Sequence, residues 1–271
     1  MTAPQDWIGQ RRETSDPMAP WPAQAMCRML ELRRPEPAPG DALPPFWHWL
    51  YFLEAAPRSS LGPDGHPAVG GFMPQVSQPR RMWAGGRLSF EAPLVVGHPA
   101  RKVSTIADVA EKTGRAGEMT FVTVRHEIYS GERLAVTEEQ DIVYRHDPDP
   151  DAPKPGPKPA PTDETLSAEW SCDSTVLFRY SALTYNGHKI HYDLDHARRV
   201  EGYPGLVVHG PLLATLLLEL PKAPIRQFSF RATAPIFAGE TFTTCAKPTE
   251  DGLHLWVRGP DGRLAIEAKA A

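Results

Sequence analysis

Hydrophobic and polar positions follow two rhythms along this chain, and each rhythm assigns its stretch to an element. Val176, Tyr180, Leu183 and Thr184 recur at the three- and four-residue steps of one helical face. Asp173 or Ser174 can cap that helix, because a short polar side chain accepts a hydrogen bond from the free N–H groups of a first turn. Asn186 and Gly187 tolerate left-handed backbone and are expected to end it. Leu206, Val207 and Val208 then form a short apolar run that reads as a buried strand or a strand-like lead-in. The run stops at His209-Gly210-Pro211, where proline at a first helical turn loses no hydrogen bond. A helix is expected over 211–220, apolar almost all round and therefore wrapped by other structure. Earlier in the chain, 23–32 reads as an amphipathic helix behind Pro22 and 46–54 as an aromatic-rich strand.

The two-residue rhythm of strands appears twice in the same order. Residues 88–97 lead into strand-like 100–113, 117–130 and 133–145; residues 228–239 lead into 240–252, 253–259 and 263–271. Pro93-Leu94-x-x-Gly97 matches Pro235-Ile236-x-x-Gly239, and Gly131-x-Arg133-Leu134-Ala135-Val136 echoes Gly262-Arg263-Leu264-Ala265-Ile266. Between the two series, residues 147–161 hold seven prolines in fifteen positions and cannot form a core element. The chain therefore divides into 1–146, an extended semi-rigid linker 147–161, and 162–271. The architecture expected is α+β: two helix-wrapped antiparallel sheets fused in one chain.

Composition narrows the function more than the fold. With 41% apolar residues the chain has the make-up of a globular protein. A net charge of −4, and no basic run longer than Arg33-Arg34 or Arg80-Arg81, gives no reason to expect nucleic acid as a partner. A strongly anionic ligand would need a local basic patch. Cys27, Cys172 and Cys245 are widely spaced and lack a CxxC pair, which points away from a disulfide framework or a zinc site and suits a reducing cytoplasm. The first thirty residues lack the basic start and apolar core of a secretory signal, and 205–220 is too short and interrupted to span a bilayer.

Candidate chemistry concentrates in FRYSALTYNGHKIHYD (178–193) and EGYPGLVVHGPLLATLLLEL (201–220). This region and the residues between hold His188, His191, His196 and His209, four of the ten histidines, together with Asn186. The N–H of Gly210 would lie at the positive end of a helix, where it can hold a developing oxyanion. A metal site is not expected, because His188-x-x-His191 on a loop lacks the i, i+4 geometry of HExxH and no cysteine joins it.

The order of an aromatic-rich helix, a polar residue, histidine five residues later and an apolar run ending in HG resembles the MaoC-like hydratases, the hydratase 2 hotdog family. Its loop motif is S-G-D-x-N-P-[LIV]-H. On this chain His191 matches the histidine, Ile190 the aliphatic position and Gly210 the oxyanion glycine, while Asn186 stands where the family has aspartate. The fuller strings, with HWLYFLEAAPRSSLGPDGHP and PRRMWAGGRLSFEAPLVVG in the first half, are similar to the subgroup of mesaconyl-C4-CoA hydratases, itaconyl-CoA hydratases and mitochondrial-type 3-hydroxyacyl-thioester dehydratases.

The resemblance implies a double hotdog fold and syn, (R)-specific hydration of a 2-enoyl-CoA, with the first half completing the sheet and accommodating the acyl chain. It implies no organic cofactor, CoA being part of the substrate. A short dicarboxylic acyl-CoA is the preferred substrate. His191 would move the proton, Asn186 would align water without titrating, and Gly210 would bind the thioester oxygen. His188 could assist or face solvent, and His209 would pack behind. Asp193 would cap a following helix. Arg80, Arg81, Arg179 and Arg231 are candidates for a CoA phosphate or a distal carboxylate, since guanidinium binds both bidentately. Trp83 and the Ala84-Gly85-Gly86 behind it could let backbone approach the acyl group. Two rival readings stay open: a hotdog thioesterase, which would want a carboxylate earlier in the core helix than Glu219, and an acyl-thioester-binding subunit inactivated by Asn186. A homodimer through a sheet edge is the default assembly.

Overall fold

The computed structural model describes residues 3–114, 117–146 and 156–271. Their strands are β1 (Arg11–Asp16), β2 (Arg80–Phe90), β3 (Ala100–Gly114), β4 (Gly117–Ser130), β5 (Arg133–Arg145), β6 (Leu166–Ser171), β7 (Gln227–Ala232), β8 (Thr241–Thr249), β9 (Gly252–Arg258) and β10 (Leu264–Ala270). Among the described residues they form one ten-stranded sheet in the order β1-β3-β4-β5-β2-β7-β10-β9-β8-β6, every neighbouring pair antiparallel. Outward from the central β2–β7 pair, both directions give the same succession, so the two halves repeat one topology. The repeated motifs land at equivalent places: Leu94 and Ile236 are buried, and Gly97 and Gly239 both have φ 82°, a left-handed conformation open to glycine without a Cβ penalty. The short outer strands β1 and β6, RRETSD and LSAEWS, carry no apolar alternation and escape detection in the sequence; pairing to β3 and β8 holds them.

Three α-helices pack on the sheet: α1 (Pro20–Met29), α2 (Ser174–Thr184) and α3 (Gly210–Leu218). Asp173 caps α2, its Oδ1 accepting from the Val176 N–H at 2.9 Å. The buried stripe of α2 is Leu177, Tyr180 and Leu183, displaced toward Leu177 from the expected face, with Val176 only partly covered. Its left-handed residue is Tyr185 (φ 50°), not Asn186 or Gly187, because the Asn186 N–H bonds back to the Ser181 carbonyl and fixes the turn one residue earlier. Helix α3 is buried on all sides from Pro211 to Leu218.

The expected strand over 46–54 is instead a single 3-10 turn, Trp47–Leu50, between left-handed Phe46 (φ 72°) and Phe52 (φ 57°). Adjacent His48 and Trp49 both reach the buried Glu138 carboxylate of β5, at 2.9 Å each. Neighbouring residues of a strand point to opposite faces and could not do this. Pro44 and Pro45, lacking N–H groups, also bar a ladder. The turn follows the isolated bridge Ala42–Val95 as α3 follows Val207–Phe237. It therefore occupies in the first half the place of α3 in the second. From 51 to 79 the chain has no regular element beyond the turn Arg58–Ser60, and it crosses to the other half.

Residues 147–155 of the proline-rich stretch lie outside the described residues. Its end is pinned: Ala160 is buried with Cys245, Trp256 and Leu264, and the Trp256 Nε1–H donates to the Pro161 carbonyl at 3.1 Å.

Candidate active site

His191 closes a one-turn 3-10 helix, Lys189–His191, in the loop after α2. The loop is stapled to the strand-like lead-in of α3: the Val207 N–H donates to the Ile190 carbonyl (2.9 Å), and His191 Nδ1 lies 2.7 Å from the Val207 carbonyl. A carbonyl only accepts, so Nδ1 carries the proton and Nε2 keeps a free lone pair. The ring is 6% exposed, and burial pushes its pKa down to about 4, leaving it neutral at physiological pH.

His209 stacks on His191 with ring centroids 3.6 Å apart and planes inclined by 18°. Its Nε2 pairs with Ser181 Oγ at 2.9 Å, its buried Nδ1 has no partner among the described residues, and burial holds its pKa well below the ordinary value. His209 is the N-cap of α3, so Gly210 is the first helical residue and its N–H has no acceptor within the helix. A Cβ on Gly210 would stand 2.7 Å from the ring of Trp83. Only glycine lets β2 and the start of α3 close this tightly.

Asn186 turns inward on its own loop, its Oδ1 accepting from the His188 N–H at 3.0 Å. The His188 ring stands edge-on to His191 (5.5 Å) and near the ring of His66 (4.4 Å). His66 pairs through Nδ1 with Asp64 Oδ2 at 3.0 Å. Burial first, then the neighbouring imidazoles, lower the pKa of His188, and burial likewise lowers that of His66; on Asp64 burial is the largest single effect, but the ring and backbone bonds from His66 and the nearby imidazoles together outweigh it and bring the carboxyl down to about 2.

Asp64 and His66 have no place in the sequence-derived site. They come from the 51–79 crossing of the first half, joined to the loop by the Lys189 N–H on the Asp64 carbonyl (2.8 Å) and by Gly65 against Gly187, where a Cβ on Gly65 would fall 2.0 Å from the Gly187 oxygen. A polar, glycine-punctuated DGHP in a stretch without periodicity is the signal that could have found them. Asp64, His66 and His188 hold potential ligand atoms within 4.8 Å of one another and could take a cation; the histidine set weighed from sequence, 188, 191, 196 and 209, does not gather in this way.

The remaining candidates scatter. Asp193 does cap: its Oδ1 accepts from the His196 N–H (2.9 Å) at a π-helical turn, His196–Val200. His196 instead faces Glu201, at 3.8 Å. Arg80 ties that turn to β2 through the Glu201 carboxylate (2.9 Å) and the Val200 carbonyl (3.0 Å). Arg179 and Arg231 are exposed. Arg81 is half-buried near the histidines. Gly85 and Gly86 make close approaches to the strands beside them: added Cβ atoms would meet the Phe230 carbonyl at 2.4 Å and the Glu139 carbonyl at 2.7 Å. Glu219 ends α3, bound to Trp47 Nε1–H at 3.2 Å, roughly 13 Å from Gly210 by helical rise. That is the wrong end of the helix for the thioesterase reading.

The family model for hydroxyacyl-thioester dehydratase type 2 matches residues 46–238. The chain is 46% identical over 266 residues to mesaconyl-C4-CoA hydratase of Chloroflexus aurantiacus, covering 97% of this chain and 95% of that one. A MaoC-like dehydratase structure from Phytophthora capsici superposes with TM-score 0.73 at 11% identity, over 100% of this chain and 97% of that one. A Mycobacterium tuberculosis protein described as a double hotdog superposes with TM-score 0.58 at 16% identity, over 97% and 95%. These likenesses show the fold as an α+β double hotdog.

Proposed function

This chain belongs to the hydroxyacyl-thioester dehydratase type 2 family and is a hydro-lyase of acyl thioesters; from that premise we propose that its substrate is a short enoyl-CoA with a C5 dicarboxylic acyl group, of the mesaconyl-C4-CoA or itaconyl-CoA kind. The identity to a relative named for mesaconyl-C4-CoA supports that choice. One observation carries the mechanism: His191, locked by the Val207 carbonyl, offers an unprotonated Nε2 beside the start of α3.

Water attacks C3 of the enoyl thioester as Nε2 of His191 takes its proton. The C2=C3 electron pair moves toward the thioester carbonyl, whose oxygen gathers charge against the Gly210 N–H and the positive end of α3. The same proton then passes from His191 to C2, which closes the balance and gives syn addition. Asn186, unable to titrate, orients the water. None of these steps requires an organic cofactor or a metal. The three free, buried thiols suit a reducing compartment, and we place the enzyme in the cytoplasm, with a second copy of the chain as its expected partner. Among the described residues no helix is long and apolar enough to cross a membrane.

The test is loss of the enoyl-thioester absorbance with crotonyl-, mesaconyl-C4- and itaconyl-CoA, run beside His191→Ala. The dicarboxylic esters should react fastest, and the variant should lose about 10²–10⁴ in kcat/KM, the usual contribution of general acid–base catalysis. An undiminished rate in the variant would remove His191 from the mechanism. Binding without turnover of any ester would favour the inactivated subunit.

A further inference from the structure

The geometry points to Arg81, together with the Tyr144 hydroxyl, as the holder of the substrate's free carboxylate. This assignment rests on the dicarboxylic reading above and gives it a structural basis for selectivity.

Four arginines near Arg81 on β1, β2 and β4 are paired, and Arg145 of β5, whose buried Nε has no partner among the described residues, follows Tyr144 and so points to the opposite face. Arg80 binds Glu201, Arg12 binds Glu54, Arg87 binds Glu139 and Asp141, and Arg125 binds Glu139. The guanidinium of Arg81, half-buried on β2, makes no hydrogen bond or ion pair among the described residues. It lies within electrostatic reach of His66 and His188 on the site side and of Arg12 on the other. Asp64, the carboxylate in that neighbourhood, is already held by His66 through both ring and backbone. A half-buried guanidinium beside a second cation, without a counter-ion, is costly unless an anion arrives. A carboxylate meets its fork with two parallel hydrogen bonds.

A second, independent observation stands directly opposite. Tyr144 of β5 is the cross-strand partner of Arg81, is 2% exposed, and its hydroxyl has no hydrogen-bond partner among the described residues. Trp83, two residues along β2 and therefore on the same face, also buries an unpartnered Nε1–H while its ring rests on Gly210. Three unsatisfied donors thus line one strand face, running from the start of α3 outward. Residues two apart on a strand are separated by about 7 Å, which suits a short diacid anchored at its thioester oxygen at one end and its carboxylate at the other.

The experiment measures kcat and KM for mesaconyl-C4-CoA and crotonyl-CoA on the wild type and on Arg81→Gln, Arg81→Lys and Tyr144→Phe. The wild type should favour the dicarboxylic ester. Arg81→Gln should lower that preference by about 10² or more, chiefly through KM, since a site built to bind a polar group discriminates strongly by its presence. Arg81→Lys should recover part of the preference, and Tyr144→Phe should lose about tenfold. If the wild type shows no preference, the dicarboxylic reading fails and takes the assignment with it. If the wild type prefers the diacid and all three variants keep the same ratio, the reading stands and Arg81 is not the clamp. Should Arg81→Gln not fold, the ratio in Arg81→Lys and Tyr144→Phe decides in the same way.

Discussion

At Gly210 the backbone of α3 meets the Trp83 ring so closely that a methyl group has no room. Gly210→Ala keeps the N–H but must displace either the ring or the helix start, and a misplacement on the order of 1 Å can cost about 10² in rate. The loss should appear in kcat more than in KM, because the donor acts where charge develops during reaction. Gly205→Ala, whose added Cβ would meet only Phe237 at 3.9 Å, is the matched control; equal losses in the two would show that Gly210 matters for chain flexibility alone. Asn186, His188, His191 and Gly210 could be singled out in the sequence because they fall in two nearby strings, 178–193 and 201–220, which the Val207–Ile190 backbone bond holds together. Asp64 and His66 were not, since they arrive from more than a hundred positions earlier, and the Lys189–Asp64 backbone bond and the Gly65–Gly187 contact bring them alongside. Arg80 and Arg81 read as equals in the sequence; partner geometry separates them, with Arg80 consumed by Glu201.

The element that departs furthest from its sequence signal is the Trp47–Leu50 turn. Aromatic alternation in WHWLYF imitates a strand, yet the segment is fastened to β5 by side chains, through His48 and Trp49 on Glu138. Burial alone would raise the Glu138 pKa; the bonds from His48 and Trp49 and the nearby His48 and His126 rings together outweigh that and lower it. Removing one partner of such a buried set leaves the others unsatisfied, so Glu138→Ala should destabilise by about 3–5 kcal/mol, read from the urea midpoint, with Glu138→Gln costing less. A shift below about 1 kcal/mol would mean that the turn is held by its aromatic packing instead. The helices and long strands were legible because each carries enough turns or alternations to average over irregular residues. The outer strands β1 and β6 were not, because their burial comes from the neighbour they pair with.

Taken whole, the molecule buries several imidazoles, His126, His191 and His209 among them, in surroundings that disfavour their charged form. Burial lowers His126 and His191 to about 4 and holds His209 well below its ordinary value, whereas an unfolded chain titrates histidine near about 6.5. Above that pH neither state is protonated and stability is complete; below it only the unfolded chain takes up protons, and stability falls until the folded-state values are reached. Each group held near 4 removes about 1.4 kcal/mol per pH unit, so His126 and His191 together should remove roughly 2–3 kcal/mol between pH 6 and pH 5, with His209 acting in the same direction. Urea titrations from pH 7.5 to 5 test this, and a constant midpoint across that range would show that the rings are charged when folded. The double hotdog also places Gly210, His188 and His191 in one half and Trp83, His66 and Arg81 in the other, while a one-turn substitute for α3 stands in the first half. Two identical subunits could never reach this state, because any change that shortened the helix in one copy would shorten it in both and abolish each site. Fusion into a single chain is what allows one copy to surrender its helix to make room while the other keeps the chemistry.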